Sequence, residues 1–244
     1  MAVALEIAVQ DPEGVAVAVA GGADRIELCT ALALGGLTPS AASVRAAVAA
    51  APSVHVLVRP RAGGFEYSPV EAAVILDDVR RALDLGAHGV VVGAVRGEEV
   101  DASLVRRVRA LAGPAELTFH RAFDTLTDLE KALDVLLDLG VDRVLTSGGA
   151  SRAVDALERI ADLVVRAGGR LQVMAGSGID ATVVQPVVAT GVAAIHASAK
   201  RTVHEAQRVD LGSLAQAGAS LREETDEVAV RALRTALDAP RRER

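Results

Sequence analysis

Several residues of this chain could move protons or hold charged ligands, and they cluster where apolar runs end. Glu6 lies in ALEIAV, Glu27 and Cys29 in DRIELC, His120, Arg121 and Asp124 in FHRAFD, and His196 and Ser198 in HASA. A carboxylate and an imidazole in a partly dry cleft can both be tuned toward neutral pH. Glu27 and His120 are therefore the candidate acid/base pair. His196 would orient a substrate or act as a second base. Arg59 and Arg61, in RPRAGG, suit a phosphate or carboxylate, and Asp124 could hold Arg121 at a rim. Gly176 and Gly178 in AGSG, with Ser198, offer backbone groups to the same anion. Glu6 and Ser147 complete the candidate binding set.

These residues need elements to position them. One pattern recurs: GADRIELC (22–29), GAHGVVVG (86–93), GVDRVLTS (140–147) and GVAAIHAS (191–198). Each opens on a glycine suited to close a helix and continues as a short β-branched run. Their spacing is about two βα units, each of roughly 30 residues. The intervening strands are expected at 4–9, 54–59, 116–120 and 171–175. SPVE (68–71) reads as a capping box opening a helix, and TDLE (127–130) reads as a second. A last helix is expected over 226–238. Eight strand–helix alternations indicate a (β/α)8 TIM barrel as one domain, with its core over about 3–238. An open doubly wound sheet is the competing architecture, and the quarter-like repeat favours the closed barrel.

Strand side chains alternate faces. The parity that holds Ile26, Val90, Val144 and Ile195 is apolar and should meet the helices. The other parity sends Glu6, Glu27, Cys29, His55, Arg59, Thr118, His120, Gln172, Met174, His196 and Ser198 inward. A barrel centre is normally filled by branched apolar residues, and buried charges need partners. Glu6, Glu27, His55, Arg59, His120 and His196 are thus expected to form one network near the C-terminal mouth, catalytic or merely self-satisfied. Phe65, Tyr67 and Phe123 read as pocket walls, and Phe119 as core.

Composition sets the bounds. The chain has 244 residues, 51% of them hydrophobic, and a net charge of −6. That supports a full core, and the absence of a Lys/Arg stripe argues against nucleic acid as a partner. A single cysteine excludes an internal disulfide framework and suits a reducing compartment. No apolar run is long enough for a membrane span. MAVALEIAV reads as a first strand rather than a leader. The terminal PRRER, and with it 239–244, reads as a frayed tail.

Six ordered motifs, GGADRIELC, GGLTPS, HVLVRPR, FHRAFD, LTSGG and HASA, resemble the CutC family from Ala4 to about Ala199. The resemblance implies a cytoplasmic, homo-oligomeric TIM barrel with a role in copper homeostasis. Copper(I) prefers thiolate and thioether ligands. A copper(I) site here would use Cys29 and inward Met174, with His120 and His196 as supplements. Glu66 stands where some members carry a second cysteine. Two expectations follow: a copper-handling protein using Cys29, or an enzyme acting on a small anionic metabolite.

Overall fold

Eight parallel strands close into a barrel in the computed structural model, which describes residues 3–204 and 221–240. They are β1 (Ala4–Val9), β2 (Arg25–Leu28), β3 (Val54–Leu57), β4 (Gly89–Val92), β5 (Glu116–Phe119), β6 (Arg143–Thr146), β7 (Gln172–Gly176) and β8 (Ala194–Ala197). Each pairs with its sequence neighbour, and β1 pairs with β8 to close the ring. The (β/α)8 expectation is met, and the open sheet is excluded.

The helices are α1 (Pro12–Ala20), α2 (Ala41–Ala50), α3 (Pro69–Asp84), α4 (Ala102–Ala112), α5 (Leu129–Asp138), α6 (Leu157–Ala167), α7 (Val184–Val188) and α8 (Glu227–Asp238). The capping box is present: Ser68 Oγ accepts from Glu71 N, and Ser68 N donates to Glu71 Oε2 at 2.8 Å. The second device is shifted by one residue. Asp128, not Thr127, caps α5 by accepting from Lys131 N at 2.9 Å. A carboxylate is the stronger acceptor at a helix N-terminus. The four repeat glycines, 22, 86, 140 and 191, all have positive φ, as chain reversal out of each preceding helix requires. After β8 a short antiparallel pair, Lys200–His204 with Leu221–Thr225, leads toward α8. Residues 205–220 and the terminal residues 241–244, including most of PRRER, lie outside the described set.

The main apolar core lies between strands and helices, where Leu5, Ile7, Ile26, Val90, Leu117 and Ile195 are at most 1% exposed. The barrel interior is largely polar. Arg25 Nε donates to Glu6 Oε2 at 2.5 Å, and its Nη1 to Glu116 Oε1 at 2.7 Å. Arg143 Nε also reaches Glu116 Oε1, at 3.0 Å, and Arg143 Nη1 lies 3.9 Å from Met174 Sδ. A buried charge is tolerated only with matched partners, and here two guanidinium groups meet two carboxylates. This plug differs from the expected network at the mouth. Arg25, Glu116 and Arg143 share the inward parity but stand at strand beginnings. His55 bonds Ser53 Oγ at 3.1 Å, away from the mouth.

Replacing Glu6 with Ala would strip Arg25 of its buried partner, and we expect a loss of about 3–5 kcal/mol in urea unfolding. Replacing Glu227, paired with Arg231 on the surface of α8, should change stability by less than about 0.5 kcal/mol. Equal effects of the two would contradict this account of the plug.

Candidate active site at the barrel mouth

A cavity of about 470 Å³ opens above the C-terminal ends of the strands. Glu27, His120 and His196 line it together, with Arg59, Arg121, Gly178, Ser198 and Phe65. Active sites of this fold sit at this face. The strands hold their side chains in register: Glu6 lies opposite His196, and Ala8 opposite Glu27.

Glu6 organises the cavity floor from beneath. It is fully buried, and its second oxygen lies 2.7 Å from His196 Nδ1. Burial opposes its charge, but Arg25 and His196 outweigh burial and hold this carboxyl far below the usual carboxylate range. Glu27 has no such partner. Its Oε2 is buried without a hydrogen bond, and His196 Nδ1 is 3.9 Å away. Burial pushes the Glu27 carboxyl up to about 7; the charge of Glu6 adds to this, while His196 and Arg25 work against it. For His196, burial lowers the pKa, yet Glu27 and Glu6 together raise it above the ordinary histidine value. Glu6 thus stays ionised, and Glu27 and His196 compete for protons above it.

His120 differs. Burial, with the Arg59 charge, lowers its pKa to about 3, so the ring is neutral. It caps the short turn Arg121–Thr125, and its Nδ1 accepts from Ala122 N at 3.0 Å. Its ring lies 4.9 Å from that of Phe65.

The arginines behave differently from one another. Arg59 lines the cavity, but its Nη1 donates to Leu34 O and Gly36 O and its Nη2 to Gly63 O, each at 2.9 Å. Its guanidinium lies 5.2 Å from the Phe65 ring centre. It ties two rim loops together with three of its five N–H groups, and its buried Nε–H has no partner among the described residues. Arg61 lies outside the cavity, paired with Glu71 and bonded to Gly64 O and Glu66 O. Arg121 reaches the cavity at 39% exposure and pairs with Asp124 at 2.8 Å, as the spacing suggested. Asp124 is a loop organiser: it also accepts from Thr146 Oγ1, Ser147 N and Gly149 N. Ser147 is fully buried beside it and bonds Ala150 O, so it does not face the cavity. Gly176 lies on the inner wall, where a Cβ would meet Leu145 at 2.6 Å.

Two further expectations are corrected. Phe123 is not a pocket wall; the turn after His120 rotates it into the main core, at 0% exposure. Tyr67 stacks on Arg61 beside a separate surface depression. Residues that the sequence reading missed include Ser177, Ile179 and Lys200 in the cavity wall. Their positions just after β7 and β8 were the available signal. Among the described residues, Ser177, Ala31 and Ala199 are the non-glycine residues with positive φ, and all three lie in mouth loops. Such strain persists only where surrounding structure imposes it, and it often marks functional sites.

The soft copper donors do not converge. Cys29 is fully buried with Leu57 and Val91, whereas Met174 packs with Leu145 and Ala194 in another cluster. Strands β2 and β7 are not neighbours. Burial, with the nearby Glu27, pushes the Cys29 thiol well above its ordinary value, away from the thiolate that binds copper. This geometry does not fit a copper(I) centre.

The match to a known family takes in all eight strands of the barrel. The CutC family model matches residues 3–201. The chain belongs to the CutC family. A CutC family protein of Sinorhizobium medicae is 39% identical over 96% of both chains. Another from Agrobacterium fabrum is 42% identical, over 96% of this chain and 94% of its own. A crystal structure of CutC from Streptococcus agalactiae, which carries a copper-homeostasis label, superposes with a TM-score of 0.76 at 29% identity. It covers 80% of this chain and 98% of its own. Among the described residues no helix is long and apolar enough to cross a membrane.

The raised Glu27 pKa sets a sign for stability. A carboxyl that holds its proton more tightly when folded makes the fold less stable as pH rises from the ordinary carboxylate range through about 7. Glu27→Gln removes that loss. The variant should gain about 1–3 kcal/mol relative to wild type between pH 5 and pH 8. Denaturant unfolding at both pH values measures this; parallel pH dependences would refute it.

Proposed function

We propose that the barrel mouth binds a small anionic metabolite, bearing a phosphate or carboxylate, and that Glu27 transfers protons to and from it. The carrying observation is the Glu27 carboxyl: buried, with an unpartnered oxygen, in the wall of an open cavity. A purely structural carboxylate would be matched by a cation, as Glu6 is by Arg25. A carboxyl raised toward neutrality can both give and accept a proton at physiological pH.

The other lining residues suit supporting roles. Arg121, paired with Asp124, and Lys200, paired with Glu223, are the cations that an anion would meet at the rim beside Arg59. Gly178 and Ser198 stand after β7 and β8, where this fold often holds phosphate groups. His196, anchored by Glu6, would orient the substrate or carry the second proton. Assembly into a homo-oligomer, implied by family resemblance, belongs to the same proposal and is read by light scattering.

Calorimetry with 2-phosphoglycolate tests the anion site. We expect binding, weakened about tenfold or more in Arg121→Met, the value of one charge-assisted hydrogen bond. No binding by wild type would sink this reading.

Copper handling is the second reading. The S. agalactiae relative carries that label, and one observation supports a cation here: Glu6, Glu27 and His196 each offer an atom within 4.8 Å of the others. These oxygen and nitrogen donors suit a divalent ion rather than copper(I). Against it, Glu6 already bonds Arg25 and His196. Anaerobic copper(I) titration against a competing chelator separates the sites. Cys29→Ala should leave the affinity unchanged, and a marked loss would restore a cysteine site.

A further inference from the structure

His120 is fixed as a single tautomer. Its Nδ1 accepts the Ala122 backbone N–H at 3.0 Å, so Nδ1 carries no proton. The proton of the neutral ring is therefore on Nε2. That N–H is buried and has no acceptor among the described residues. Buried donors are nearly always paired, and one left open calls for an explanation. The ring's position is enforced from the opposite side. A Cβ at Gly93 would lie 2.3 Å from both Nδ1 and Cε1 of His120, so the imidazole occupies the space of the missing side chain. Phe65 covers the ring, and Arg59 stacks on Phe65. The structure thus holds an unused donor at one wall of the cavity. The unpartnered carboxyl oxygen of Glu27 belongs to another wall, on β2.

A donor that stays neutral and a carboxylate free to take a proton together suit one reaction class. Building on the small-anion reading above, we infer that the substrate is a carbonyl compound: His120 Nε2–H bonds its carbonyl oxygen while Glu27 removes a proton from the adjacent carbon. The C–H bond breaks, and its electron pair forms the C=C bond of an enolate. The carbonyl π pair moves to oxygen, where the Nε2–H bond holds the developing negative charge. Glu27, now protonated, returns the proton to the same carbon as the carbonyl re-forms. No oxidant or reductant is consumed, and the net result is exchange with solvent or epimerisation at that carbon. A neutral imidazole polarises the carbonyl without giving up its own proton, which an imidazolium would readily lose.

Deuterium exchange tests this with the full chain. The probes are dihydroxyacetone phosphate and pyruvate in D2O, followed by proton NMR, with 2-phosphoglycolate as an anion that lacks a ketone. We expect wild type to accelerate exchange at the carbon next to the carbonyl. Glu27→Gln should slow it at least 100-fold. His120→Gln should slow it at least 10-fold while 2-phosphoglycolate still binds within about threefold. The nitrogen-15 spectrum of labelled wild type should show the Nε2–H tautomer, a reading independent of how any variant folds. Binding of 2-phosphoglycolate with no exchange of either ketone overturns the carbonyl inference and leaves the anion site standing. Loss of all binding overturns both. Full exchange in His120→Gln, or an Nδ1–H tautomer in wild type, removes His120 from the reaction.

Discussion

The contact between Arg25 and Glu6 sets the terms for everything above it. Glu6 sits in the centre of a barrel with no access to water, and such a carboxylate stays ionised only beside a cation. Once Arg25 takes one oxygen, the other is left for His196. That bond fixes the imidazole of His196 and uses up the nearest proton donor. Glu27, one strand away, is left with an oxygen that has no hydrogen bond, His196 Nδ1 standing 3.9 Å off. The reactive character of the mouth is thus a consequence of how completely the floor is satisfied.

The floor also explains why a polar barrel can stand. Arg25 and Arg143 converge on Glu116, and Arg25 reaches across to Glu6. A planar guanidinium with donors pointing in different directions can join strands that do not neighbour each other, as Arg25 joins β2 to Glu116 on β5, which a lysine could not do with the same geometry. Branched apolar residues usually fill this space. Here they are confined to small clusters: Leu57 and Val91 beside Cys29, and Leu145 and Ala194 beside Met174. Leu57 and Val91 give the thiol apolar surroundings of its own, while the thioether, packed on Leu145 and Ala194, also meets Arg143 Nη1 at 3.9 Å.

Much of this was legible because a strand has a period of two. Alternation alone put Glu27, His120 and His196 on one inner surface, and the glycine-headed repeat supplied the closure. Arg25, Glu116 and Arg143 obey the same alternation, but attention to strand ends passed over residues at strand starts. What escaped depends on partners remote in sequence. Nothing in the residue type says that Arg59 will give its donors to Leu34, Gly36 and Gly63, or that Arg61 will turn away to Glu71. Phe123 escaped because alternation stops at His120, where a 3-10 turn begins. The left-handed backbone of Ser177 is set by its surroundings and not by its side chain.

Strand β4 has a part that its bland sequence conceals. Its inner face offers Gly89, Val91 and then Gly93, and the imidazoles of β3 and β5 lie over the two glycines. Each histidine therefore borrows its volume from a position on the next strand. His120 with Gly93 behaves as a single unit of inheritance, a side chain gained at the glycine having to be matched by a smaller residue at its partner, whereas Gly89 is held as well by the Glu116 carbonyl oxygen, 2.5 Å from where a Cβ would stand. Related sequences should change such positions as pairs, so that the size of one strand's residue is recorded in its neighbour's.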